Sequence, residues 1–282
     1  MRFHINAGVL WSLPTSSAAP LDESGTDWRA VRNAGFVGLQ HYFPEPAAIE
    51  AGLEMSGMAR ITDPEEARPI AMQHKAWGFV CSTWRVGTGF ESDAEMDAPA
   101  RATLDASSDS GLPVYIETHR ATMTQDMRRT TDLCSRSPDL KFNADLSHWY
   151  TGAEMRYGDF EAKLAALAPV FERTRFMHGR IGHSCTMQLP LEQARDHECW
   201  EDYRAMWRLC LEGFANANEN EPTVFAPETL PASVDFQGTT HRINYATLHE
   251  GEEVGDRWRD ALAMLEVMDA LNAEREGTRS ND

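Results

Sequence analysis

One pattern recurs four times along the chain, in PVYIETH (Pro113–His119), LKFNADLSH (Leu140–His148), RFMHGR (Arg175–Arg180) and TVFAPE (Thr223–Glu228). Each stretch is a short apolar run, typical of a buried strand, and each leads to a carboxylate or a histidine. Helical patterns separate the stretches, and each strand–helix unit takes about 30 to 45 residues, as a right-handed βαβ crossover requires. The four stretches therefore predict consecutive parallel strands of one sheet.

Three earlier strands are predicted at Phe3–Val9, Phe36–His41 and Trp77–Thr83, each followed by a helical pattern. Seven such units in one chain are typical of an α/β fold in which the sheet closes on itself. We therefore predict a (β/α)8 TIM barrel that forms a single domain over residues 1–282.

The eighth strand is the weakest part of this prediction. Its only candidate is His241–Ala246, which could equally be a loop, so a degenerate eighth strand is expected. The last helix is expected to begin at Asp256 and end at about Glu274, since its apolar residues form one stripe. Residues 276–282 are expected to be a disordered tail.

Two loops are longer than a barrel needs, Tyr42–Thr62 and His183–His197. Both follow strands, so both are expected on the C-terminal face, where such barrels keep their sites. We expect them to act as lids or as dimer contacts.

Composition narrows the range of functions. The chain has 44 acidic and 26 basic residues and a formal net charge of −18, and such a surface repels phosphate backbones. No nucleic-acid partner is therefore expected. Long apolar runs and a secretory signal are not apparent, so no membrane partner is expected and a cytoplasmic enzyme is predicted. The five cysteines include no C-x-x-C pair, which argues against a zinc ribbon.

Strand alternation predicts which side chains point into the barrel. In the Pro113 stretch, Tyr115, Glu117 and His119 share one face, and the apolar Val114 and Ile116 share the other. The apolar face suits the helix layer outside, so the polar face must point inward. The same count turns three further side chains inward, at Asp145, His178 and Glu228.

Four such residues at four successive strand ends predict one divalent-metal site, with Glu117, Asp145, His178 and Glu228 as ligands. Each has an ordinary alternative, as an ion-paired acid, a helix cap or a core histidine. Burying several carboxylates together is costly unless a cation compensates, which favours the metal. Three carboxylates and one imidazole form a hard shell that suits Mn²⁺, our first expectation, with Mg²⁺, Co²⁺ and Zn²⁺ as alternatives.

The D-x-x-H phrase Asp145–His148 and the H-x-R phrase His178–Arg180 resemble those of the xylose-isomerase-like TIM barrels, the sugar phosphate isomerase/epimerase superfamily. The resemblance covers roughly Phe3 to Glu228. It implies the same four metal ligands, and it implies that His148 and Arg180 contact the substrate. It also implies a possible homodimer.

A third candidate for substrate binding is His119, which lies on the face of Glu117 one step nearer the barrel mouth. The candidate substrate-binding residues are therefore His119, His148 and Arg180.

The expected function is metal-dependent isomerisation or epimerisation of a sugar, keto-sugar or cyclitol. A metal ion would hold two oxygens of a hydroxy-ketone and stabilise the enediolate formed on deprotonation. Glu117 or Glu228 would take the proton, and its counterpart or a nearby histidine would return it.

Several alternatives stay open. Expulsion of a β-leaving group after the same first step would make the protein a dehydratase or a glycoside lyase. Less expected are a non-catalytic partner subunit and a phosphodiesterase like an AP endonuclease. The negative charge disfavours the last of these, because phosphate binding needs a basic groove.

Overall fold

The computed structural model describes residues 1–22, 25–218, 221–236 and 238–279. Eight parallel strands close a barrel in chain order, and the first strand pairs with the last through Arg2 and Val224. The predicted (β/α)8 barrel is confirmed. The strands are β1 Arg2–Asn6, β2 Gly38–His41, β3 Glu54–Ile61, β4 Cys81–Val86, β5 Val114–Glu117, β6 Phe142–Ala144, β7 Thr174–Gly179 and β8 Val224–Pro227.

Helices surround the barrel, and short hairpins decorate its loops. The hairpins pair Leu21–Asp22 with Gly25–Thr26, Ser233–Phe236 with Thr239–Arg242, and Leu248–His249 with Glu252–Glu253. The helices are α1 Trp28–Asn33, α2 Pro46–Glu50, α3 Ala67–Ala76, α4 Asp97–Ser110, α5 Met127–Arg136, α6 Ser147–Gly152, α7 Phe160–Ala166, α8 Ala168–Phe171, α9 Leu191–Arg195, α10 Cys199–Phe214 and α11 Arg257–Arg279.

Local capping explains several of these helix ends. The Asp27 carboxylate accepts hydrogen bonds from the first backbone N–H groups of α1, as an N-cap does. Asp63 and Glu66 form a reciprocal capping box before α3. Gly111 ends α4 with φ of 62°, a left-handed conformation that glycine adopts without steric cost.

The sequence prediction is wrong between Tyr42 and Thr62, where it expects one long loop. This segment contains α2 and the barrel strand β3. The β3 sequence, EMSGMARI, has a glycine and only one β-branched residue, so its strand signal is weak. Because β3 completes the ring, no strand is needed after β8. Within the predicted eighth strand, His241–Arg242 belongs to a hairpin outside the barrel.

The C-terminal helix α11 is longer than expected. It continues to Arg279, so residues 276–279 are helical and do not belong to a disordered tail. Residues 280–282 lie outside the described residues. Among the described helices, none combines the length and apolar character that a membrane span requires.

The side chains of the barrel strands divide between two environments. Val114 and Ile116 pack outside against the helices, within a large apolar cluster. Tyr115 points inward and joins a small cluster inside the barrel with Phe176 and Val224. The predicted alternation is therefore observed. The inner apolar cluster fills the barrel below the strand ends, where polar side chains such as Glu117 and His178 lie.

Gly57 in β3 lies where another residue would not fit. A Cβ atom there would lie 2.6 Å from Nδ1 of His74 and 2.7 Å from Phe79. We expect Gly57→Ala to lower the free energy of unfolding by about 1–3 kcal/mol in urea denaturation, because the core is overpacked. Gly152→Ala, with nothing within 4 Å of the added carbon, is the control and should change little. Equal stability of the Gly57 variant would contradict this packing.

The buried His74 makes stability depend on pH. Burial lowers the pKa of His74 from 6.5 to about 4. Between these two pH values, His74 is protonated in the unfolded chain and neutral in the folded chain. The contribution of neutral His74 to the free energy of unfolding is complete above the unfolded pKa and is lost as pH falls from there toward 4. We expect His74→Gln to flatten the fall of Tm across this window. The exposed His249→Gln should keep the wild-type slope, and an unchanged slope in both variants would refute the assignment.

Candidate metal centre

The four predicted ligands meet at the C-terminal end of the barrel. Glu117 ends β5, Asp145 follows β6, His178 lies in β7 and Glu228 follows β8. All four are buried. The Nδ1 atom of His178 lies 3.3 Å from Glu228 Oε2, 3.7 Å from Asp145 Oδ2 and 4.0 Å from Glu117 Oε1. One ligand atom from each of Glu117, Asp145 and His178 lies within 4.8 Å of the other two, whereas Glu228 is not part of that three-residue group and approaches it through His178 Nδ1.

These distances suit a bound ion. Two atoms that each lie about 2.1 Å from one ion are about 3.0 Å apart when adjacent and about 4.2 Å apart when opposite. The three measured separations from His178 Nδ1 fall within this range. Three carboxylates and one imidazole are also a donor set that divalent cations accept. Glu117, Asp145 and His178 therefore fit a divalent metal ion, and Glu228 faces the same histidine nitrogen.

The second nitrogen of His178 is held by an amide network. His178 Nε2 lies 2.9 Å from Gln40 Oε1, which also accepts a hydrogen bond from Asn6 Nδ2. The Gln40 amide nitrogen donates to Thr83 Oγ1, which fixes the orientation of the amide. Because Oε1 only accepts, Nε2 must carry a proton, so Nδ1 is the nitrogen that a metal ion could bind in exchange for a proton.

Electrostatics shows how much negative charge the site contains. Burial raises the pKa of Glu117 to about 7, and it also raises the pKa of Glu228. Burial acts in the opposite sense on His178, but Glu228, Asp145 and Glu117 outweigh it and raise its pKa to about 9. Without an ion, protons on Glu117 and His178 would offset the charge. A metal would displace them, as metal binding to protonated ligands does.

Arg180 holds two of the carboxylates. Its Nη1 donates to Glu228 Oε2 at 3.1 Å, and its Nη2 donates to Asp145 Oδ2. Although burial opposes the shift, Arg180 keeps the pKa of Asp145 well below its usual value. The ring of Tyr245 covers the guanidinium, with 4.8 Å between Cζ and the ring centroid. The structure therefore places Arg180 against the carboxylates of Asp145 and Glu228. That Arg180 contacts the substrate stays a prediction.

His119 and His148 lie together beside the centre, with ring centroids 3.8 Å apart. His148 Nε2 is 3.3 Å from Asp145 Oδ2, and its buried Nδ1 has no partner within the part of the chain that is described. Burial lowers the pKa of His148 to about 4 and that of His119 to about 2, so both rings are neutral. With Glu117 they form a second group that could hold an ion.

Several residues at the site were not identified from the sequence. Their common feature is a polar side chain at the same end of the barrel. Arg85 shares the inward face of β4 with Thr83, so the alternation applied to β5 would have found it. A search of strand ends for amides would have found the others on β1 and β2. The missed residues are Asn6, Gln40, Tyr42, Arg85, Arg120 and Tyr245.

No protein-family model and no curated protein matches the sequence. Solved structures match in fold. A D-tagatose 3-epimerase-like protein has 11% identity and a TM-score of 0.55, over 97% of this chain and 99% of its own. A sugar phosphate isomerase/epimerase from Parabacteroides distasonis ATCC 8503 has 11% identity and a TM-score of 0.54, over 94% of this chain and 97% of its own.

A third match is a xylose isomerase-like TIM barrel protein from Mycobacterium smegmatis, in complex with magnesium. It has 15% identity and a TM-score of 0.50, over 90% of this chain and 94% of its own. At these identities the similarity establishes the fold. The chain has the fold of the xylose-isomerase-like, sugar phosphate isomerase/epimerase TIM barrels, as its sequence motifs implied.

Proposed function

We propose that the protein is a divalent-metal-dependent isomerase or epimerase that acts on a sugar, keto-sugar or cyclitol. One observation carries the proposal: a histidine nitrogen faces three buried carboxylates at separations of 3.3 to 4.0 Å. Structural neighbours described as an epimerase-like protein and as a sugar phosphate isomerase/epimerase support the same chemistry.

Glu117, Asp145 and His178 would hold the ion through carboxylate oxygens and Nδ1, and Glu228, which lies 3.3 Å from that nitrogen, would be the fourth ligand. A bound divalent ion polarises the oxygens of a hydroxy-ketone and lowers the pKa of the C–H bond between them. The mostly oxygen donor set supports Mn²⁺ or Mg²⁺, and one structural neighbour is a magnesium complex. Co²⁺ and Zn²⁺ are the alternatives.

Of the two glutamates, Glu117 is the better placed to take a proton. The Glu228 carboxylate accepts hydrogen bonds from Asn6 and Arg180, both at 3.1 Å. The Glu117 carboxylate accepts none from the residues described. Hydrogen bonds to a carboxylate lower its basicity, so Glu117 is the stronger base. Glu228 or a neighbouring histidine would return the proton.

The position to which the proton returns determines the product. Return to the opposite face of the same carbon gives an epimer, and return to the neighbouring carbon gives an isomer. Loss of a β-leaving group after the same proton removal would give the runner-up activity, a dehydratase or glycoside lyase. Product analysis by mass separates elimination from the other two outcomes, since only elimination changes the mass.

The amide network should control metal affinity. We expect Gln40→Leu to weaken Mn²⁺ binding by about 10- to 100-fold. The variant lacks the amide oxygen that accepts the Nε2 proton of His178 and so keeps Nδ1 available for the ion. Calorimetric titration of the metal-free protein with Mn²⁺ measures the change. Gln73→Leu, at an exposed position on α3, should bind like the wild type. Unchanged affinity in Gln40→Leu would show that the amide has no such role.

Proton exchange tests the proposed chemistry directly. With Mn²⁺ bound, the protein should exchange the α-proton of at least one ketose of a panel into D₂O, followed by NMR. Removal of the metal with a chelator should abolish the exchange. Glu117→Gln should slow it by at least about 100-fold, as loss of a general base does.

The matched control is Glu192→Gln, an exposed glutamate of α9, which should exchange at the wild-type rate. Because Glu117 is also a proposed ligand, the Mn²⁺ content of each variant is measured alongside. Exchange that persists in the metal-free protein would falsify the proposal.

A further inference from the structure

Arg85 and Arg120 differ from the other arginines of the protein. Both are half-buried, and neither lies within ion-pair distance of a carboxylate among the described residues. Elsewhere, each buried or half-buried arginine whose side chain is described pairs with an acid, as Arg175 does with Glu221 at 2.9 Å. Among the arginines whose side chains are described, the others without an acidic partner, such as Arg101, are exposed.

Both guanidinium groups lie close to the metal centre. Arg85 is in β4, and its attraction to Glu117 raises its pKa against the effect of burial. Arg120 follows β5 and lies over the Tyr245 ring, 5.4 Å from the centroid. Arg180 lies 4.8 Å from the same centroid. Arg85 is therefore close enough to interact with Glu117, and Arg120 shares the Tyr245 ring with Arg180.

Their present partners are neutral. Arg85 Nη2 donates to the Tyr42 hydroxyl. Arg120 donates to the Tyr245 hydroxyl at 3.2 Å and to the Met187 sulfur at 2.9 Å. A guanidinium that has lost part of its water and gains only neutral acceptors is left with uncompensated charge. This arrangement favours the binding of an anion.

The charge of the metal centre does not supply that anion. Three carboxylates there carry three negative charges, from Glu117, Asp145 and Glu228. A divalent ion and Arg180, which bonds two of the three, would neutralise them. His178 is then neutral, because its Nδ1 lone pair is used by the metal. Arg85 and Arg120 therefore remain as two positive charges in excess.

We propose that the substrate is an anionic hydroxy-ketone whose carboxylate or phosphate group is bound by Arg85 and Arg120. The proposal rests on the function proposed above, since it places the hydroxy-ketone end at the metal centre. The planar fork of arginine matches both anions, with paired hydrogen bonds. Tyr42, the partner of Arg85, also lines a groove of about 530 Å³ with Trp11, Phe43 and Asp235.

The test compares D-fructose with D-fructose 6-phosphate and with D-fructuronate. D-fructose 6-phosphate carries a phosphate at C6 and D-fructuronate a carboxylate at C6, and both keep the hydroxy-ketone of D-fructose. Calorimetry on the Mn²⁺-loaded protein measures the affinity for each. At least one anionic member should bind about tenfold or more tightly than D-fructose, as charge-assisted bonds to arginine allow. Which member it is distinguishes the phosphate from the carboxylate.

Arginine variants assign this preference to its residues. Arg85→Met and Arg120→Met should each reduce the preference for the anion, because each should weaken binding of the anionic compound more than binding of D-fructose. Arg101→Met removes the same charge from an exposed position on α4 and should retain the full preference. Tm and Mn²⁺ affinity of each variant confirm that the fold and the metal centre are intact.

Equal affinity for all three compounds, including no binding by any of them, overturns the proposal. So does an anion preference that survives in both Arg85→Met and Arg120→Met. Binding is measured without turnover, so the result is independent of the proton-exchange assay. Failure of that assay with an intact anion preference would refute the isomerase function alone.

Discussion

The structure depends on one electrostatic constraint, the repulsion among three carboxylates buried around a single histidine nitrogen. Glu117, Asp145 and Glu228 each place an oxygen within 4.0 Å of His178 Nδ1, where water cannot screen them. Such an arrangement is stable only when positive charge lies among the oxygens. Protons or a divalent ion can supply it, and an ion would do so without protonating the carboxylates. The chemistry of the site follows from this requirement.

The barrel meets the constraint in layers. Apolar side chains such as Tyr115 and Phe176 fill its interior below the site, so polar groups gather only at the strand ends. Gln40 fixes the protonation of the histidine from one side. Arg180 neutralises part of the charge from the other side, beneath the ring of Tyr245. Rigid neighbours of this kind hold a metal site in its working geometry.

The meeting of Glu117, Asp145 and Glu228 around His178 was predictable because strand alternation is a local property. Inward placement of Glu117 required only a count of two along its strand. The strand Glu54–Ile61 could not be found in this way, because it is buried by neighbours distant in sequence and tolerates a glycine beneath His74. The ion pairs of Arg180 could not be predicted from the sequence either. Strand alternation shows which face a side chain is on but not which partner a long side chain reaches.

The pairing of the first strand with the last has a consequence for biosynthesis. Arg2 pairs with Val224 across the two strands that close the barrel. The ring therefore cannot close until most of the chain has left the ribosome. Until then, β1 presents an open edge, and such edges invite pairing with other chains. Closing contacts between residues so far apart in sequence also slows folding. Glu228, the last of the proposed ligands, follows the closing strand directly, so the candidate site is completed by the same event that removes the open edge.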